Sequence, residues 1–326
     1  MENHRTTART ASPSIEVSDA AFAAVYAIGD VHGNAEMALA AHEEIRRRIS
    51  DSGFGTREKP VLVLHLGDIF DRGFGGLKIL DAILDWREEA VKAPGVHVEC
   101  LMGNHEQMMR AALFDDDADM RAYGAVNWIR NGGGHVLAEL FDTRSERDPR
   151  MIEAANGLAC GDGRIAASIR GAIGGRRMSM LRDGLLSHVR VGNRLYVHAG
   201  VDWLKPADEF FGRKPDFSDD PSLDEHWCWI RYPFLSREPG DAIHPDWEDV
   251  FVIHGHSIER TPDMLPRILP WRLNLDGGSY GRNPRVHAAE LTPDRVSTLT
   301  IAEGFERCWT NRDAPGNRQN PQMMRP

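Results

Sequence analysis

Oxygen and imidazole donors stand just beyond apolar segments at several points of the sequence. The run of residues 61–66 is short, rich in branched apolar residues and bounded by Pro60 and Gly67, which is typical of a buried strand. Asp68 follows directly, where α/β sheets bind ligands, outside the carboxyl end of the strand. The same order recurs along the chain, and the candidate donors are Asp30, His32, Asp68, Asn104, His198 and His256.

This donor set suits metal ions. Carboxylate, amide and imidazole groups without a thiolate favour Mn, Fe or Zn over Ca or a structural zinc site. Six donors are more than one ion needs from the protein. Two ions about 3.5–4 Å apart can share one carboxylate and one hydroxide, and we expect Asp68 to be the shared carboxylate.

A two-metal site predicts phosphoester hydrolysis, in which the bridging hydroxide attacks phosphorus in line. The leaving alkoxide needs a proton, and His105 is the candidate donor if the loops converge, with Asp71 orienting its ring. Arg72 would offer a bidentate fork to phosphate oxygens, and Arg231 a second one. The aromatic residues around Arg231 leave a role in the core open as well.

The elements that position these residues alternate between strand and helix. The predicted order is strand 25–28, helix 35–49 with Asn34 as N-cap, strand 61–66, helix 77–91 and strand 96–102. This alternation predicts parallel βαβ units in an α/β fold. Further strands are predicted at 194–197, 251–253, 271–275, 285–291 and 295–301.

The pattern predicts one domain at 19–309 between disordered segments at 1–18 and 310–326. Residues 114–185 break the strand and helix alternation, and we expect a largely helical insertion or cap there. That insertion either determines substrate specificity or is a solvent-exposed segment without a role in the chemistry.

The amino-acid composition argues against nucleic acids and membranes as binding partners. A net charge of −10 and a pI near 5.8 argue against bulk binding of nucleic acid, which depends on clustered Lys and Arg. We find no secretory signal and no apolar stretch of about 20 residues, so we expect a soluble cytoplasmic protein that does not bind membranes. The four cysteines form no Cys-x-x-Cys pair and indicate neither a disulfide framework nor a thiolate zinc site.

Five spaced motifs together resemble the signature of the calcineurin-like metallophosphoesterases. They are GDVHG at 29–33, GDIFDRG at 67–73, GNHE at 103–106, HAG at 198–200 and GHS at 255–257. The Asp-Arg-Gly and Asn-His-Glu elements resemble the phosphoprotein phosphatase branch in particular. The resemblance implies a four-layer α-β-β-α sandwich of two mixed sheets flanked by helices.

The resemblance also implies a role for each site residue. One ion would be held by Asp30, His32 and Asp68, and the other by Asp68, Asn104, His198 and His256. His105 and Asp71 would form the acid pair, and Arg72, Asn104 and Arg231 would bind phosphate. Whether His254 takes part stays open.

Departures from the family pattern bear on the substrate. Met102 stands where eukaryotic protein phosphatases have Arg, and their Ser-Ala-Pro-Asn-Tyr element is absent. Segments 128–133, 229–231 and 274–278 resemble bacterial members, including Ser/Thr phosphatases and diadenosine-tetraphosphatase-like enzymes. We therefore expect a Ser/Thr phosphatase-like phosphomonoesterase acting on a phosphorylated protein or small phosphoester. The alternatives are a dinucleoside polyphosphate hydrolase or other phosphodiesterase, and a binding module without catalysis is disfavoured.

Overall fold

The chain forms two six-stranded mixed sheets that pack face to face. The computed structural model describes residues 13–145, 147–212, 225–302 and 307–313. The strands are β1 (Ile15–Val17), β2 (Ala24–Ile28), β3 (Val61–His65), β4 (Val96–Cys100), β5 (His188–Val191), β6 (Arg194–Val197), β7 (Phe251–His254), β8 (Arg267–Leu269), β9 (Arg272–Asn274), β10 (Arg285–Leu291), β11 (Arg295–Ala302) and β12 (Arg307–Asp313). One sheet has the order β1-β5-β6-β7-β9-β8 and the other β12-β11-β10-β2-β3-β4.

The helices lie outside the sheets and in the connections. They are α1 (Ala35–Ser52), α2 (Gly76–Lys92), α3 (Asn104–Phe114), α4 (Ala118–Trp128), α5 (Gly134–Leu140), α6 (Pro149–Ala159), α7 (Gly163–Ile173), α8 (Gly175–Ser179), α9 (Ala207–Phe211) and α10 (Tyr232–Leu235). The predicted N-cap of α1 is confirmed, because the Asn34 side chain accepts the amide hydrogen of Met37. The two mixed sheets flanked by helices that the family resemblance implied are confirmed.

Because successive side chains of a strand face opposite ways, the protein has two hydrophobic cores, one between the sheets and one under the outer helices. In β2, Val25 and Ala27 pack between the sheets, whereas Tyr26 and Ile28 pack under the outer helices. Successive side chains of a strand point to opposite faces, so a strand covered on both faces is apolar throughout. β2 pairs in parallel with β3, and β3 with β4. Their carboxyl ends therefore lie at one edge.

The segment predicted as an insertion contains α4 to α8. Two π-helical turns, Ile129–Gly133 and Met180–Gly184, interrupt it. The first turn includes Gly132 at φ 113°, a backbone conformation that residues with a side chain rarely adopt. This turn brings the insertion against the chain that follows β3.

The predicted disorder at both ends is wrong in part. β1 lies within 1–18 and pairs in parallel with β5, and β12 carries order to Asp313 by pairing with β11. Backbone hydrogen bonds to a neighbouring strand order these short segments, which apolar periodicity does not reveal. The rest of the predicted disorder, at 1–12 and 314–326, lies outside the described residues. β5 and β8 were not predicted.

Candidate active site

The structure brings all six candidate donors together at the carboxyl ends of the strands. They follow strands of both sheets, with Asp30 and His32 after β2, Asp68 after β3, Asn104 after β4, His198 after β6 and His256 after β7. All six side chains are buried. The face-to-face packing of the sheets therefore joins residues that are up to 226 positions apart, as in the contact of Asp30 with the amide of His256.

Asp68 lies at the centre of the six donors. Its Oδ2 is 3.5 Å from Nε2 of His32 and 3.9 Å from Nε2 of His105, and its Oδ1 is 3.5 Å from Nε2 of His198. Two groups of potential ligand atoms share this carboxylate, one with His32 and His105 and one with His198 and His256. The geometry places Asp68 where a bridging ligand would be needed.

Backbone carbonyls fix the tautomers of the three imidazoles. The pairs are Nδ1 of His198 with Leu66 O at 2.8 Å, Nδ1 of His32 with Phe70 O at 3.0 Å, and Nε2 of His256 with Trp229 O at 3.1 Å. Because each of these nitrogens donates its hydrogen, the other nitrogen of the neutral ring presents a lone pair to the centre. This is the outer hydrogen bonding that orients metal-binding histidines.

Lone pairs converge at Asn104 as well. Its Oδ1 is 3.2 Å from Nε2 of His198 and 3.1 Å from Nδ1 of His256. When both imidazoles are neutral, as metal ligands are, all three atoms are acceptors, and acceptors so close together repel one another unless a cation or a proton lies between them. The donor set thus fits metal ions, which the sequence also predicted.

The charges of the buried carboxylates also indicate a site for cations. Burial, followed by the neighbouring carboxylate of Asp276, raises the pKa of Asp30 well above its ordinary value. Burial also raises the pKa of Asp276 to about 6. Burial opposes protonation of His198, but Asp68 outweighs it and raises the pKa of His198 to about 9. Clustered buried carboxylates of this kind need cations, since buried charges are stable only when compensated.

His105 is held by a chain of two hydrogen bonds. Its Nδ1 is 2.6 Å from Oδ2 of Asp71, and Oδ1 of Asp71 accepts the indole hydrogen of Trp128 at 3.0 Å. Burial opposes protonation of His105, yet Asp68 and Asp71 raise its pKa. Among the described residues, Nε2 of His105 has no hydrogen-bond partner. The sequence predicted the pair of His105 and Asp71 but missed Trp128.

The two candidate phosphate-binding arginines differ in their surroundings. The guanidinium of Arg72 lies 4.3 Å above the ring of Tyr280, and its Nη1 is 3.5 Å from Nε2 of His32. Tyr280 was not predicted, although it follows the quoted segment 274–278. Arg231 is exposed, which argues against a role in the core. Its charge, after burial and His198, helps to lower the pKa of His256, so it lies beside the site.

His254, whose part in the site the sequence left open, contacts a different set of side chains. Its Nε2 is 3.2 Å from Nη1 of Arg272, and Phe234 meets its ring edge-on at 4.8 Å. The buried Arg272 forms an ion pair with the partly exposed Glu259. His254 therefore belongs to a structural network under the sheet.

Glu106 fixes the turn that carries Asp68. Its carboxylate accepts the amide hydrogens of Asp68 and Ile69 at 2.8 Å and of Gly103 at 2.9 Å. In the described chain, eight residues other than glycine have positive φ, and five of them belong to the site or its turns: His32, Asp68, Asp71, Arg72 and His256. Such strain costs of order 1–3 kcal/mol each and persists where the surroundings impose it.

This fold and this arrangement of site residues are those of the metallophosphoesterase class of proteins. The chain belongs to the calcineurin-like phosphoesterase family, whose model matches residues 23–274. It is 31% identical over 138 residues to Shewanella-like protein phosphatase 1 of Plasmodium berghei (strain Anka). That match covers 40% of this chain and 36% of the relative, so the chain spans little more than a third of the relative's length.

Solved structures with similar folds have low sequence identity. A cold-active protein-tyrosine phosphatase of a psychrophilic Shewanella species is 17% identical, with a TM-score of 0.49 over 91% of this chain and 81% of that one. A protein serine/threonine phosphatase from Saccharomyces cerevisiae is 13% identical, with a TM-score of 0.44 over 94% and 84%. In the part of the chain that the structure describes, no helix has both the length and the apolar character to cross a bilayer.

Proposed function

We propose that this hydrolase is a protein phosphatase that removes phosphate from phosphorylated side chains by direct attack of water on phosphorus. The observation that carries the proposal is the convergence of six buried donors, with Asp68 at their centre, beside the paired His105 and Asp71. The relative from Plasmodium berghei is named a protein phosphatase, which supports this class of substrate. A cytoplasmic location stays a prediction.

Asp30, His32 and Asp68 are the proposed ligands of one ion, and Asp68, Asn104, His198 and His256 those of the other. When bound, two such ions lower the pKa of the attacking water and offset the negative charge of the phosphoryl oxygens. Manganese or iron is the proposed metal, with zinc possible, because the donors are oxygen and imidazole without sulfur.

The remaining residues bind phosphate and move a proton. Arg72 and Arg231 hold the phosphoryl oxygens, together with the Asn104 side chain. His105 gives the proton on Nε2 to the leaving oxygen, since its Nδ1 is occupied by Asp71. The short contact with Asp71 keeps the ring in one orientation, so that Nε2 faces the reacting groups.

Hydrolysis of p-nitrophenyl phosphate tests the dimetal site. We expect activity that chelator abolishes and manganese restores. Asp68→Asn should lower kcat/KM by at least about 100-fold and reduce bound metal, because it weakens the shared ligand. Asp116→Asn makes the same change at an exposed position and should be neutral. Near wild-type turnover of Asp68→Asn would exclude the bridging role.

A substrate panel tests the class of phosphoester. A phosphoserine peptide and diadenosine tetraphosphate are compared at equal enzyme concentration, with bound metal measured in the same preparation. We expect the peptide to have the higher kcat/KM. A preference for the dinucleotide would contradict the proposed protein substrate and leave the metal site untouched.

A further inference from the structure

The insertion is attached to the turn that carries Asp71 and Arg72. Trp128 donates to Asp71, and a Cβ added to Gly132 would lie 2.9 Å from the backbone nitrogen of Arg72. The carboxylate of Glu139 accepts the amide hydrogens of Gly76 at 3.0 Å and Leu77 at 3.2 Å, at the start of α2. Three contacts from one short segment therefore hold the insertion against the proposed phosphate-binding turn.

A cavity of about 350 Å³ begins at this contact, because Gly132 also lines it. Its apolar wall includes Phe74, Leu137 and Ile152. Phe74 is 39% exposed and Ile152 46% exposed, so this apolar surface is open to solvent. Phe74 follows Arg72 by two residues, which joins the cavity to the candidate active site through the chain itself.

The rim of the cavity is basic. Arg130, His135 and Arg144 line it, and no acidic side chain lines it among the described residues. The guanidinium of Arg144 lies 3.9 Å above the Phe74 ring, and His135 meets that ring at 4.7 Å. Phe74 thus contacts two of the basic side chains that line the cavity.

Arg130 and Arg144 present positive charge at this cavity that is uncompensated among the described residues. Both are exposed, and neither forms an ion pair with a carboxylate of the described chain. Other arginines of the same insertion are paired, such as Arg176 with Asp85 and Arg177 with Asp81. Two unpaired guanidinium groups over an apolar wall present positive charge to a ligand that is acidic and partly apolar.

We propose that this cavity binds acidic residues that flank the phosphorylated residue of a protein substrate, with an aliphatic side chain against the apolar wall. This inference rests on the proposed function. An extended peptide advances 3.3–3.6 Å per residue, so residues two or three positions from the phosphorylated one lie roughly 7–11 Å away. The cavity begins at Gly132, which lies against the backbone of Arg72, the proposed phosphate-binding residue.

The test compares phosphoserine peptides that differ only at positions two and three from the phosphoserine. These positions carry Asp and Glu, two alanines or two lysines. Wild-type enzyme should prefer the acidic peptide over the alanine peptide by about 5- to 20-fold in kcat/KM, mainly through KM, since two exposed ion pairs are gained. The preference should shrink as salt rises from low to high concentration.

Reversing both charges should reverse the preference. In the double variant Arg130→Glu/Arg144→Glu, the lysine peptide should become the better substrate. Arg57→Glu is the matched control, because Arg57 is exposed, lacks an ion pair among the described residues and precedes β3, at the opposite end of the sheet from the donors. This control should keep the wild-type order of peptides.

Three outcomes would overturn the proposal. Wild-type enzyme could hydrolyse all three peptides equally, or the double variant could keep the acidic preference. The double variant could also lose kcat/KM for diadenosine tetraphosphate alone, which would make the occupant a nucleotide. Failure of the proposed function is a different result, in which wild-type enzyme hydrolyses p-nitrophenyl phosphate and none of the peptides.

Discussion

Trp128→Phe removes one hydrogen bond from the proposed acid pair and leaves the pair itself intact. The indole hydrogen is donated to Oδ1 of Asp71 at 3.0 Å, while Oδ2 holds Nδ1 of His105 at 2.6 Å. All three side chains are buried, so water does not replace the lost donor. A hydrogen bond to a charged group contributes about 1.5–3 kcal/mol. If that energy orients His105 in the transition state, kcat falls about 10- to 150-fold.

The leaving group separates this effect from general damage. In a phosphoserine peptide the leaving group is the serine alkoxide, which is strongly basic and requires the proton of His105. The p-nitrophenolate ion is weakly basic and can leave without a proton. Trp128→Phe should therefore lower kcat for the peptide by the full factor and for p-nitrophenyl phosphate by much less. KM for both substrates should stay near wild type, because Arg72 keeps its position over Tyr280.

Two controls test the reasoning. Trp247→Phe also removes the indole hydrogen bond of a buried tryptophan, to Lys205 O at 2.7 Å, and should affect both substrates equally and weakly. In a His105→Gln background, adding Trp128→Phe should have no further effect on peptide turnover, since the two residues act as one unit. Equal losses for the two substrates, or full additivity with His105→Gln, would refute the positioning role of Trp128.

Two further substitutions test the π-helical turn at Gly132 and the contacts that position Arg72. Gly132→Ala should lower the free energy of unfolding by about 1–3 kcal/mol and raise KM, because φ is 113° and the new Cβ would press on Arg72. Gly134→Ala is its control in denaturant unfolding and should be neutral or stabilising, having helical φ and open space. Tyr280→Leu should raise KM about 2- to 30-fold with kcat unchanged, by removing the cation–π contact; an unchanged KM would show that Arg72 is held by other contacts.

The donors at the strand ends were predictable because each step of the inference uses only neighbouring residues in the sequence. An apolar run predicts a strand, the strand predicts where its end lies, and the next polar residue is placed there. The assignment of His256 over His254 depends on one more local detail. His254 is the last residue of β7, whereas His256 lies beyond the strand with φ 64°, which turns its ring toward Asn104. Family position favoured His256, whereas strand alternation alone left the choice open.

The contacts made by the insertion were not predictable in the same way. Trp128 is 57 positions from Asp71, and no pattern within α4 shows which face meets the turn. The π-helical turn after α4 sets which face of the insertion meets the turn at Asp71. The conformation of this π-helical turn depends in turn on the packing of Gly132 against Arg72. Asp276 and Tyr280 were missed for a related reason, since they reach the site only because β9 lies beside β7 in the second sheet.

The glycines of the motifs are required for close approach of the loops more than for flexibility. A Cβ on Gly67 would collide with the backbone of Gly103, and a Cβ on Gly103 would collide with Oδ1 of Asp68. Gly33 and Gly73 meet in the same way. Each pair joins two motifs, so a side chain at either position would push apart donors that must share one site. Glycines in different motifs therefore specify the distance between the loops, and the residues that follow them specify the chemistry.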